Sequence, residues 1–204
     1  MASCYSCKRR SLFIEFSNNK LQLWSKQQGL HHRVGLIKSV YDEIIKEKEF
    51  DEDMIIDVNP IFVLLHTLSH LIIKELSFEC GYATSALRER LYIDQKDSMS
   101  GILIYTATSD SEGTLGGLSQ MAEPERIEQI IIKAIENSFF CSSDPICKTT
   151  IDNSHTDLSL SSCHNCCQLP ETSCEHFNQF LDRNLIHGFT NIDGNQIEGF
   201  FQKI

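Results

Sequence analysis

Six cysteines, Cys141, Cys147, Cys163, Cys166, Cys167 and Cys174, fall within 34 positions of a 204-residue chain that holds nine in all. A structural zinc ion takes four thiolate or imidazole ligands in a tetrahedron, usually delivered by short loops. Cys163-His164-Asn165-Cys166 is a C-x-x-C, the spacing at which one tight turn presents two sulfurs to one ion. Cys147 and Cys174 are expected to supply the other two corners from opposite sides, with Leu169-Pro170-Glu171 discouraging helix between. Cys141 or Cys167 can replace one of these four, and His155, His164 and His176 are outer candidates. The expected cofactor is Zn2+. A closed four-sulfur site leaves no position for water, so it folds a chain rather than catalysing. A redox pair is the rival chemistry, but it wants a helix N-terminus after a strand and few other thiols, whereas cysteines crowd this region. The odd cysteine count disfavours a disulfide framework, and Met1–Arg10 has no apolar stretch of the signal-peptide kind, so a cytoplasmic location is expected.

His66-x-x-x-His70 puts two imidazoles on one helical face, a spacing that zinc enzymes use. The metalloprotease motif requires Glu directly after the first His, and Thr67 stands there. Core or interface histidines are therefore favoured, with Glu79 and Arg88 as further members of an interface or secondary site. A small metal-dependent hydrolase using His66 and His70 is the alternative. The loop Gly113-x-x-Gly116-Gly117 has no Gly-Lys-Ser/Thr to close a phosphate cradle, and Asp110 and Glu112 repel phosphate, so turn geometry is its expected use. Cys4 and Cys7 form a second C-x-x-C without another pair near in sequence, and Cys80 reads as core.

Those residues need elements to position them. Residues 11–16 and 20–24 flank Ser17-Asn18-Asn19, and the alternation of Leu21 and Leu23 with polar residues predicts a β-hairpin. Apolar residues at helical spacing predict a helix from Leu36 to about Glu49, before the acidic linker Asp51-Glu52-Asp53. Asn59-Pro60 opens the longest helix, expected to reach about Cys80 and stop at Gly81. Its apolar residues occupy nearly every face, so it is the expected central buried helix. A polar helix or turn over 84–90 precedes strands at 91–93 and 101–108, and Glu123-Pro124-Glu125 opens another helix with a stripe from Ile127 to Phe139. A helix over about 175–187, ended by Gly188, and a short strand in the tail complete the pattern. The expected class is α+β: a central buried helix, a small mainly antiparallel sheet and a Cys-rich zinc loop. The expected division is an extension over 1–54, a zinc-binding domain over 55–190 and a tail over 191–204.

Net charge is −10 and unevenly spread. Of 18 basic and 28 acidic residues, 9 and 5 fall within positions 1–50, leaving 9 and 23 beyond. Nucleic-acid affinity comes mostly from Lys and Arg neutralising phosphates, so the acidic body is poorly suited to hold DNA alone. A direct nucleic-acid sensor working through the basic N-terminal segment, which includes Arg33, is a further alternative. The most apolar stretch, 60–73, is interrupted by His66, Thr67, Ser69 and His70, so no membrane span is expected.

Several segments have a familiar form: Leu65-His66-Thr67-Leu68-Ser69-His70, Leu76 to Tyr82, Leu87 to Tyr92, Thr108 to Leu118, Cys141 to Cys147, Ser162 to Cys166, Pro170 to Glu175, and Leu181-Asp182-Arg183. Together, over roughly 60–186, they resemble the C-terminal part of DrmB-type proteins of DISARM anti-phage systems. That part is the Mrf-type zinc-binding domain, which also ends certain superfamily 2 DNA helicases. Proteins of the DrmB type are usually much longer, and Cys167 stands where an apolar residue is expected. The resemblance implies a zinc-binding, non-catalytic accessory subunit. Its implied partner is a larger protein, a superfamily 2 DNA helicase or a nuclease, and it meets DNA mainly through that complex.

Overall fold

The computed structural model describes residues 2–7, 11–48, 55–94, 98–106, 117–149 and 158–201. The glycine-rich loop around Gly113 and Gly116, the linker 51–53 and His155 lie outside the described residues. A four-stranded antiparallel sheet has the order β1-β2-β4-β3, with β1 Ala2–Cys7, β2 Ser11–Phe16, β3 Leu87–Asp94 and β4 Met99–Thr106. A second, two-stranded sheet pairs β5 Gly188–Thr190 with β6 Gln196–Glu198. The helices are α1 Asn18–Ser25, α2 Gln28–Lys48, α3 Pro60–Cys80, α4 Gly117–Met121, α5 Pro124–Asn137, α6 Ile146–Thr149 and α7 Asn184–His187. The chain is thus α+β around one buried central helix, α3.

Local chemistry sets the limits of α3. The Asn59 side chain accepts from the N–H groups of Ile61 and Phe62, both at 3.0 Å, and Pro60 needs no such partner. Gly81 closes the helix at φ 70°, ψ 19°, where a side chain would be strained. α3 has the length and apolar content of a membrane span, yet its residues from Pro60 to Ile73 are all buried inside this fold. It lies against β3, β4, α5, α7, α1 and α2. α5 offers it a stripe of Ile127, Ile130, Ala134 and Ile135, while Phe139 falls beyond the helix end and is exposed.

Four elements depart from expectation. Residues 20–24 form helix α1, not a hairpin arm: Leu21 is fully buried and Leu23 is 72% exposed, which fits positions two apart on a helix and not one face of a strand. The strand that does pair with β2 on that side is β1. Helix α2 begins at Gln28, well before Leu36, and its first turns bury Leu30, Arg33 and Val34, with Gly29 close against the tail. A Cβ there would stand 2.2 Å from Cδ1 of Ile197.

The predicted helix over 175–187 reduces to α7. The segment ahead of it sends its backbone bonds to residues 158–161 instead of up its own turn: Phe180 N–H to Leu158 C=O at 2.7 Å, Leu160 N–H to Leu181 C=O at 2.9 Å, and Arg183 N–H to Ser161 C=O at 3.1 Å. Asn178 reinforces this by clasping Leu169, with its side chain bonded to both backbone groups of Leu169 at 2.8 Å. Finally, β3 starts at Leu87, so Arg88-Glu89-Arg90 is strand and not a polar turn. Arg88 and Arg90 face out, and Glu89 faces in at 1% exposure.

Candidate metal centre

The sulfurs of Cys141, Cys147, Cys163 and Cys166 lie within 4.8 Å of one another. Cys141 Sγ is 3.4 Å from Cys163 Sγ, Cys147 Sγ is 3.7 Å from Cys166 Sγ, and Cys163 Sγ is 3.6 Å from Cys166 Sγ. With Zn–S bonds of about 2.3 Å, the edge of a sulfur tetrahedron is about 3.8 Å. The spacing is that of a zinc cage, and it is far beyond the roughly 2.05 Å of a disulfide. Cys80, Cys141, Cys147, Cys163, Cys166, Cys167 and Cys174 are all free of disulfides.

Two loops build the cage. In the first, the chain leaves α5, and Arg183, itself buried, donates to the Ser138 carbonyl and the Asp144 carboxylate. Asp144 in turn accepts from the Cys141 N–H at 3.0 Å, and α6 then presents Cys147. The second loop is the C-x-x-C turn. Cys166 and Cys167 N–H both bond to the Cys163 carbonyl, at 3.2 and 3.0 Å, and the Cys163 N–H donates to Cys166 Sγ at 3.2 Å. Helix α3 holds this turn from below: Lys74 Nζ donates to the Asn165 and Cys166 carbonyls, each at 3.0 Å.

Four thiols so close cannot all ionise without a cation between them. Burial raises the thiols of Cys141 and Cys147. Cys166 is drawn down to about 4, first because the Cys167 thiol donates to it, against its own burial, and further by donors from Cys163 and Cys147. Cys167 is fully buried and pushed well up as that donor. A dication at the centre reverses the repulsion and turns all four sulfurs into ligands.

Cys147, Cys163 and Cys166 meet here, as their spacing led one to expect, but Cys174 does not. Cys141 takes the fourth corner. The turn Glu171–Ser173 carries Cys174 away to α3 and β3, where it joins His66, His70 and Glu89, with the ligand atoms of this second group again within 4.8 Å of one another. Cys167 supports the cage as a hydrogen-bond donor. His164 is exposed and outside it, while His176 packs its ring against His66 and Phe62. Burial, then the other histidines, lower His176 to about 4. Of the remaining candidates, Glu79 is paired with Lys133 on α5 and Arg88 lies on the outer face of β3, so neither reaches the histidines. Glu89 is the residue that the sequence reading missed. Its signal was period-two alternation: Leu87 and Glu89 inward, Arg88 and Arg90 outward.

Residues 68–167 match the family of the MrfA Zn-binding domain. Over 176 residues the chain is 36% identical to the "DISARM protein DrmB" of Bacillus paralicheniformis (strain ATCC 9945a / NCIMB 11709 / CD-2), a match that takes in 86% of this chain. Over that stretch the chain is similar to DrmB-type proteins. It spans 31% of that relative's length. The four-sulfur donor set suits the zinc named by the matched family, and Zn2+ is the cofactor that these residues fit. When bound, it supplies a fixed tetrahedral crosslink between the Cys141–Cys147 loop and the C-x-x-C turn.

Proposed function

We propose that this chain is a non-catalytic, zinc-stabilised accessory subunit that joins a superfamily 2 DNA helicase or a nuclease in anti-phage defence or DNA repair. The observation that carries this reading is closure. The four sulfurs use every position of a tetrahedral ion, so the metal has shape to give and no open site for substrate. The name of the DISARM relative supports a defence role. Next to the metal loops, the segment that carries Cys141 and Cys147 also exposes Phe139, Phe140 and Ile146, the last two at 78% and 76%. Large exposed apolar side chains on a rigid, metal-braced loop suit a protein partner. The cytoplasm, where thiols stay reduced, suits the ligands.

The alternatives fare less well. A hydrolase built on His66 and His70 needs water and substrate at the metal, and both rings are fully buried. A sensor working through the basic N-terminal segment loses Arg33, which is 6% exposed and committed to Asp182. DNA contact through the partner fits the acidic body better.

Affinity capture of the tagged chain from its own cells, followed by mass spectrometry, tests the proposal. A helicase or nuclease should co-purify, and Phe140→Ala with Ile146→Ala should weaken the complex while zinc content stays the same. Recovery of the chain without such a partner, or nucleotide or DNA hydrolysis by the purified chain alone, would overturn it.

A further inference from the structure

The second group of side chains stands apart from the sulfur cage and does not depend on the partner reading. We propose that His66, His70, Glu89 and Cys174 form a second, closed zinc site in the core of this chain.

Three elements deliver the ligands. Helix α3 places His66 and His70 one turn apart on the same face. Strand β3 turns Glu89 inward between two outward arginines. The turn Glu171–Ser173 brings Cys174 across from the far side. His66 and His70 are 0% exposed, Glu89 1% and Cys174 6%. Nε2 of His66 lies 3.0 Å from Glu89 Oε1 and 3.2 Å from Cys174 Sγ, and Nε2 of His70 lies 3.2 Å from the same Glu89 oxygen. For tetrahedral zinc with ordinary bond lengths, an N–O edge is about 3.4 Å and an N–S edge about 3.6 Å. The group is a slightly contracted cage of two nitrogens, one oxygen and one sulfur.

Hydrogen-bond accounting shows what the cage lacks. His70 Nδ1 faces the Cys167 carbonyl at 2.9 Å, and a carbonyl only accepts, so Nδ1 carries the proton. In the neutral ring Nε2 is then a bare lone pair, and it points at a carboxylate oxygen, another acceptor. The other Glu89 oxygen is already supplied by the Ser69 hydroxyl. Cys174 Sγ accepts from the N–H groups of His176 and Asn178, each at 3.3 Å, which aligns its remaining lone pairs on the cage. Acceptors from His70, Glu89 and Cys174 therefore converge on one buried point, and Nε2 of His66 faces the same point. A divalent cation answers all of them at once, and metal-bound histidines commonly carry such a carbonyl on the far nitrogen.

The surroundings argue for a structural ion. His176 packs edge-on against His66 with ring centroids 5.2 Å apart, Phe62 packs tilted against it at 5.8 Å, and Phe180 lies against both Phe62 and His176. Four protein ligands leave no vacancy for a reacting water. Mixed imidazole, carboxylate and thiolate donors at tetrahedral spacing select zinc among common divalent ions. Cys167 links the two centres: its N–H bonds to the Cys163 carbonyl in the C-x-x-C turn, and its own carbonyl orients His70 in this one.

The test is zinc stoichiometry and zinc-edge X-ray absorption on the full chain, purified without chelator or added metal. About two zinc ions per chain are expected, with outer-shell imidazole scattering beside Zn–S at about 2.3 Å. Glu89→Gln or His70→Ala should remove one equivalent and the imidazole signature together, leaving an all-sulfur spectrum. Cys4→Ser with Cys7→Ser should leave the count at two. One zinc per chain with an all-sulfur spectrum in the wild type would overturn the proposal, and that result needs no variant to fold. So would a second equivalent that survives Glu89→Gln or disappears with Cys4 and Cys7.

Discussion

The guanidinium of Arg33 on α2 forks onto the carboxylate of Asp182, at 2.5 Å from Nε and 3.0 Å from Nη2, and both side chains are buried. The pair spans 149 positions and is woven into the zinc-loop scaffold. Arg33 also donates to Ser161 Oγ at 2.9 Å, two residues before Cys163, and Asp182 N–H donates to Thr67 Oγ1 on α3 at 2.9 Å. A residue that looked like part of a basic surface instead fastens the N-terminal helices to the metal-binding half.

Removing one partner should leave an uncompensated buried charge. Arg33→Met is expected to cost about 3–5 kcal/mol, and the double replacement with Asp182→Leu should cost less than the sum of the two single changes. Urea denaturation of the four proteins in the cycle measures this. Arg33→Lys should also be costly, because an ammonium cannot make the two-pronged contact.

Lys74 makes a second link, with its ammonium on two carbonyls of the C-x-x-C turn. Lys74→Met keeps the stem and deletes the charge-assisted bonds, a loss of about 1–3 kcal/mol. The four sulfurs remain, so zinc should still bind. Its transfer to a colorimetric chelator should be several-fold faster than from wild type, and an unchanged release rate would show that the turn does not lean on α3.

His187 carries a pH dependence. Its ring is held down to about 4, first by burial and then by Arg183 and Lys148, against an ordinary value of 6.5. Between those values the unfolded chain binds more protons than the folded one, so stability is lost as pH falls from about 6.5 toward 4. The ring is only half-buried, and with solvent screening allowed for the effect is on the order of 1 kcal/mol. His187→Phe keeps the ring contact with Phe139, and Ser138 Oγ retains its bond to Ile135 C=O. Thermal melts across that range, at fixed free zinc, should show a shallower acid loss in the variant.

The sequence was legible where local chemistry decides the outcome. Asn59, Pro60 and Gly81 bound α3 as their cap chemistry dictates, and the C-x-x-C turn is where its spacing places it. It was misleading where distant partners decide. Leu21 and Leu23 suit a strand or a helix until the core selects one of them. Residues 175–183 have helical composition, but their backbone groups are claimed by 158–161, which no local pattern records. The choice between Cys141 and Cys174 has the same origin. Both stand at plausible loop distances from the C-x-x-C, and only the Arg183–Asp144 contact and the approach of Cys174 to His66 separate them. Glu89 was hidden because a carboxylate in a strand reads as surface until its neighbours are seen to face outward.

One zinc ion is expected among Cys141, Cys147, Cys163 and Cys166. An anomalous difference map collected at the zinc edge from crystals of the full chain tests it most directly. The expected result is a peak with these four Sγ atoms at about 2.3 Å. A peak ligated by Cys174 in place of Cys141, or well-ordered Sγ atoms with no zinc among them, would contradict it.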